Sequence, residues 1–154
     1  MILGTKARYA VMAMVELAGY EEGTPVTLAD LAEAQEITVP YLEQIFSKLK
    51  KHALVRSVRG PGGGYVLALP AADISIAEII KAVDESMEMT RCKNQPDHGC
   101  MSTRTRCLTH NLWHGLEQQI YGYLQSVSLA DVRNRNPEIR NQNSDFRIPI
   151  SDFQ

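Results

Sequence analysis

The stretch ALVRSVRGPGGGYVLAL, Ala53 to Leu69, constrains the fold most. Apolar and polar residues alternate on both sides of Gly60-Pro61-Gly62-Gly63-Gly64, the pattern of two strands joined by a flexible turn. A run of glycines can also cradle a nucleotide phosphate, but such a loop passes from a strand into a helix and carries Gly-Lys-Ser/Thr. Here a strand follows and the turn holds no lysine, so nucleotide binding is set aside.

Two short helices are expected before this hairpin. TLADLAEAQ opens with Thr27 as N-cap and Asp30 three positions on, a capping-box pattern, and Leu28, Leu31 and Ala32 form its apolar stripe. TVPYLEQIFSKLKKH follows, with Thr38 able to cap and Pro40 in the first turn, where proline is tolerated. Leu42, Ile45, Phe46 and Leu49 recur at helical spacing and face inward. Tyr41, Glu43, Gln44, Ser47, Lys48 and Lys51 are left outward. Two helices separated by a tight turn and backed by a hairpin outline a winged helix-turn-helix. A further helix is expected from Thr5 to Gly19, on Tyr9, Ala10, Met14, Leu17 and Ala18, and another in SIAEIIKAVDES, capped by Ser75 and Glu78.

At 154 residues and 44% apolar the chain is the size of one domain with a helical appendage. The net charge of −2 says little, but its distribution says more. No acid lies between Glu43 and Asp73, whereas Lys48, Lys50, Lys51, Arg56 and Arg59 all do. Such a basic patch is the footprint of a phosphate-binding face. The apolar run Ala10 to Ala18 is interrupted by Glu16 and is shorter than the ~20 residues of a membrane span, so a soluble, cytoplasmic protein is expected. No paired carboxylates and no nucleophile-base constellation point to an enzyme.

The chain's three cysteines and His110 lie at C-x7-C-x6-C-x2-H: Cys92, Cys100, Cys107 and His110. An odd number of cysteines without an export signal favours a metal site or reactive thiol over a disulfide framework. Thiolate and imidazole donors suit zinc or an iron-sulfur cluster. Structural zinc sites usually use tight C-x2-4-C knuckles, which are absent; wide spacing on a loop fits a bulkier cluster or a site made and lost, with zinc still open. Beyond the cysteines, Leu108, Leu112, Leu116, Ile120, Leu124 and Val127 keep a near-fourfold spacing. So long a stripe needs a partner, and a second copy would give a two-fold dimer suited to palindromic DNA. From Asn134 onward the chain is polar and aperiodic, so a mobile tail is expected.

KARYAVMAMVELA, YLEQIFSKLKKHALVRSVRGPGGGYVLA, IAEIIKAVDES, TRC and CLTH, in this order, resemble the IscR-type iron-sulfur cluster regulators over roughly Met1 to Val132. The resemblance implies a mainly α fold with a small β-hairpin wing: a winged helix-turn-helix over 1–86, a cluster-binding loop over 87–107, a dimerisation helix over 108–132 and a flexible tail over 133–154. It implies a homodimer that binds a [2Fe-2S] cluster through Cys92, Cys100, Cys107 and His110, reads palindromic operator DNA and controls cluster-biogenesis genes. Relatives responding to nitric oxide or iron keep the cysteines but use another fourth ligand, and zinc or thiol-redox regulators are the further alternative. Two departures stand out. The inter-cysteine loops are longer than in the best-known members, which leaves His98 conceivable as a ligand, with His114 a lesser candidate. Pro40 stands where those members commonly have serine.

On DNA, Thr38, Tyr41, Glu43, Gln44, Ser47, Lys48 and Lys51 are expected at the major groove and Arg59 at the minor groove. Glu43 is expected to discriminate between operators, since a carboxylate near phosphates is repelled unless it meets a donor such as a cytosine amino group. Dimer contacts are expected from Leu112, Leu116, Ile120 and Leu124. Cluster ligation is expected to order the loop from Arg91 to Arg106 and so reposition the reading heads. An electron-transfer or cluster-carrier protein could use the same ligands, but it has no use for the basic window or the wing.

Overall fold

The computed structural model describes residues 3–90, 92 and 99–135. Helix α1 spans Thr5–Leu17, α2 Leu28–Gln35 and α3 Val39–Lys51; strands β1 (Val55–Val58) and β2 (Gly64–Leu67) follow, then α4 (Ile76–Ala82), α5 (His110–Ser126) and α6 (Leu129–Asn134). The fold is mainly helical with one small hairpin, as expected.

Local chemistry sets these boundaries. The Thr27 hydroxyl accepts the Asp30 amide at 3.1 Å and starts α2, which ends at Glu36 in the left-handed region. Ser75 and Glu78 close the expected capping box on α4. Thr38 occupies the N-cap of α3 but makes no side-chain cap bond; proline in the first turn removes one orphan amide there and the hydroxyl is left exposed.

The buried faces converge on one core. Leu42, Ile45, Phe46 and Leu49 of α3 meet Ala10, Met14 and Leu17 of α1, Leu31 of α2, and Ile79 and Ile80 of α4. Each large side chain buried this way contributes about 1.5–3 kcal/mol. The Phe46 ring of α3 stands edge-on to Tyr65 of β2 at 5.0 Å, which seats the hairpin on α3.

The strands pair antiparallel from Val55 opposite Leu67 to Val58 opposite Gly64. Val26 joins them as a third, single-bridge strand through reciprocal bonds with Tyr65 at 3.0 and 2.8 Å. Gly64 lies so close to the Val26 carbonyl that a Cβ would collide with it. At the tip, Gly60 and Gly62 take positive φ of 94° and 72°, which the turn requires.

The stretch read as one helix over 108–132 is divided. Leu108 precedes α5 and is fully exposed, and α5 stops at Ser126. The chain then extends through Val127, which bonds back to Ile76, while Ser128 and Asp131 form a capping box that starts α6. Leu129 is buried, and the Arg133 guanidinium donates to the Val15 carbonyl at 3.1 Å. Helix α6 is therefore docked on α1, and the tail expected from 133 has its first residues in or next to this helix. Residues 136–154 lie outside the described ones.

Candidate metal centre and nucleic-acid interface

The first turn of α5 places His110 facing the protein, where it is buried. Its Nδ1 lies 3.2 Å from the Cys100 sulfur and 3.4 Å from the Cys92 sulfur, and the two sulfurs are 3.6 Å apart. Cys92, Cys100 and His110 thus bring three soft or borderline donors together, all within 4.8 Å and all buried. Thiolates ~2.3 Å from one tetrahedral ion are separated by roughly 3.8 Å, so the observed sulfur spacing fits an edge of such a centre.

Cys107 is half-exposed and stands outside that trio, but its thiol interacts with that of Cys100. It also meets the Thr109 hydroxyl at 3.5 Å. That hydroxyl, with the Cys100 thiol and backbone groups, holds the Cys107 thiol below the ordinary range against the effect of burial. The Cys107 backbone draws the Cys100 thiol down, but burial and the neighbouring Cys92 and Cys107 thiols outweigh it and push Cys100 up. Thiols ligate a metal as thiolates, so binding of a cation at this donor set would release protons and would strengthen as pH rises.

Tight turns close this loop. The Met101 amide donates to Thr105 and the Arg104 amide to Met101, while the Gly99 backbone packs against Arg104 with no room for a side chain. On the other side, Glu117, two turns down α5 from His110, accepts the Met89 amide at 3.1 Å and anchors the approach to Cys92. Sequence reasoning missed this anchor, although the seven-residue step from His110 puts Glu117 on the same inward face. His114 stacks on His110 with ring centroids 6.0 Å apart, but it is not among the converging donors. His98 lies outside the described residues.

The face expected to meet DNA is sorted by its neighbours. Thr38, Glu43, Gln44, Ser47 and Lys51 are exposed along α3, and Arg59 is exposed at the wing tip. Two others are tied to the domain itself. The Tyr41 ring stands edge-on to Tyr9 of α1, centroids 5.9 Å apart, and Lys48 Nζ pairs with the Asp84 carboxylate at 2.7 Å. Lys50 donates to the Ser57 hydroxyl of β1 at 2.8 Å and braces the wing against α3.

Helix α5 carries its polarity inverted. His110 and Glu117 are its buried residues, whereas Leu112, Trp113 and Tyr123 are exposed. Of the expected stripe, Leu112 is exposed, Leu116 and Ile120 are half-buried, and Leu124 packs on the core of its own domain. No helix among the described residues is long and apolar enough to cross a membrane.

Comparison with known proteins agrees with this architecture. A family model described as Rrf2, iron-dependent transcriptional regulator, matches residues 3–135. The HTH-type transcriptional regulator IscR of Photorhabdus laumondii is 50% identical over 139 residues, covering 90% of this chain and 82% of the relative. Among solved structures, IscR of T. potens is 30% identical with a TM-score of 0.69, covering 100% of this chain and 97% of that one. CymR (YrzC) of B. subtilis, described as the global cysteine regulator, is 27% identical with a TM-score of 0.73, covering 88% and 98%. A winged helix with its recognition face exposed, a Cys-Cys-His pocket and this degree of identity lead to one assignment: the chain belongs to the Rrf2 family and is an IscR-type transcriptional regulator.

Proposed function

We propose that the protein is a cytoplasmic homodimer that binds palindromic operators and senses iron-sulfur cluster status through a [2Fe-2S] cluster held by Cys92, Cys100, Cys107 and His110, controlling cluster-biogenesis genes. The observation that carries this reading is the meeting of Cys92, Cys100 and His110 in one buried pocket at the first turn of α5. Cys107 completes the set from the pocket's half-exposed side.

When bound, the cluster supplies metal-ligand bonds that clamp the cysteine loop to α5 and that vanish with it. The chain's own residues do the rest. Glu117 fixes the segment before Cys92 to α5 through the Met89 amide. Leu112, Trp113, Leu116, Ile120 and Tyr123 present an apolar surface that a second copy would cover, and a two-fold dimer spaces two α3 helices for two half-sites. Thr38, Glu43, Gln44, Ser47 and Lys51 face the major groove and Arg59 the minor groove. A ligand shifts the balance between two arrangements of these heads only by its differential affinity for them.

The test is anaerobic purification followed by iron, zinc and sulfide analysis and a visible spectrum. Iron and sulfide in equal amounts support the reading. Zinc without sulfide would replace it with a metal-stabilised regulator, which the same compact donor trio would also suit.

A further inference from the structure

Asp84 directly follows α4 and its C-cap Val83, at the head of the segment that runs to Cys92. Its backbone is left-handed, with φ of 59°, a conformation that aspartate tolerates better than most side chains. In that conformation its carboxylate reaches across to α3 and holds Lys48 Nζ at 2.7 Å. Lys48 lies four residues after Gln44 and next to Ser47, on the flank of the exposed face. Lys6 and His52 also face the carboxylate, and Glu85 is the other acid near Lys48.

An exposed ion pair adds little to folding stability. Its larger effect falls on what the lysine is free to bind, because a cation already paired with a carboxylate releases no counterion from DNA. We propose that Asp84 is a positioning residue for DNA binding: it keeps Lys48 on the protein and off the operator phosphates, so that the acid at the head of the ligand segment sets how many cations α3 presents to DNA. This deepens the proposed function, on which it rests for the DNA-binding face and not for the cluster. Loop movement that displaces Asp84 frees one cation per subunit.

The mutual hydrogen bond that raises Lys48 and lowers Asp84 from their ordinary values agrees with a formed pair.

The experiment is operator affinity against salt concentration, with the full-length protein, for wild type, Asp84→Asn, Lys48→Gln, the double variant and Glu88→Gln. Asp84→Asn is expected to steepen the plot of log affinity against log salt by about 0.9 per subunit, about 2 per dimer. Lys48→Gln alone should leave the wild-type slope, and in the double variant it should cancel the steepening. Glu88→Gln makes the same charge change in the same segment and should not steepen it. If Asp84→Asn fails to fold by circular dichroism, Asp84→Ser takes its place with the same expectation. A wild-type slope for the Asp84 variant, a flatter slope for Lys48→Gln alone, or equal steepening by Glu88→Gln would each overturn the proposal. The slopes are read on cluster-free as well as loaded protein, so colourless material would end the cluster reading and leave this comparison intact.

Discussion

His110 Nδ1 stands 3.2 Å from the sulfur of Cys100, joining the first turn of the long helix to a loop closed by its own turns. A single imidazole on α5 therefore bridges to the sulfurs of both Cys92 and Cys100. His110→Ala is expected to abolish the visible absorbance of anaerobic protein while leaving the far-ultraviolet dichroism of the winged domain unchanged. Cys92→Ala should do the same and should alter operator preference with it. Full iron and sulfide retention by the histidine variant would remove His110 from the ligand set.

Glu43 is exposed in the middle of the reading face, and it is the only acid on the outward side of α3. Glu43→Ala should relax sequence choice, shrinking the gap between related operators by about 1–3 kcal/mol at the base pair it contacts while strengthening general affinity. Competition binding with two operators differing at single base pairs measures this. An unaltered ranking would contradict a specificity role.

Leu112 and Trp113 remain exposed on a helix whose buried residues are a histidine and a glutamate. Placing a charge there, as in Leu112→Asp, should convert a dimer to a monomer in sedimentation and weaken binding to a full palindrome far more than to a half-site. A Leu112→Asp protein that sediments like the wild type would mean that this face is not the interface.

The Ser128 amide and hydroxyl both donate to the Asp131 carboxylate, each at 2.9 Å, and hold it below the ordinary carboxylate range. A carboxyl lowered in the folded state contributes stability that is fully present above the unfolded value, near ~4, and is lost as pH falls through the folded one. The stability gap between wild type and Asp131→Asn should therefore be constant from about pH 7 to 5 and narrow on further acidification. Urea melts at three pH values check it; a gap that widened toward low pH would reverse the assignment.

Much of the fold was legible because its signals are local. Caps at Thr27 and Ser75, the period of α3 and the glycine turn each depend on neighbours within a few residues. The break between α5 and α6 was also written locally, in the Ser128–Asp131 capping pattern, but the apolar spacing of Leu124 and Val127 ran across it and hid it. The role of Lys48 could not be read in advance, since its partner Asp84 lies thirty-six positions away and pairs only after α3 and α4 pack. The donor set was visible as residue types, whereas the buried trio with Cys107 at its edge is a product of the loop's turns.

The most direct test of cluster sensing is a paired determination on one anaerobic preparation: iron and sulfide per chain, then operator affinities before and after chelation. The expected result is about two irons and two sulfides per chain, coloured protein, and a changed ranking of operators once the metal is removed. Colourless, iron-free protein after reconstitution, or identical operator affinities with and without the cluster, would contradict it.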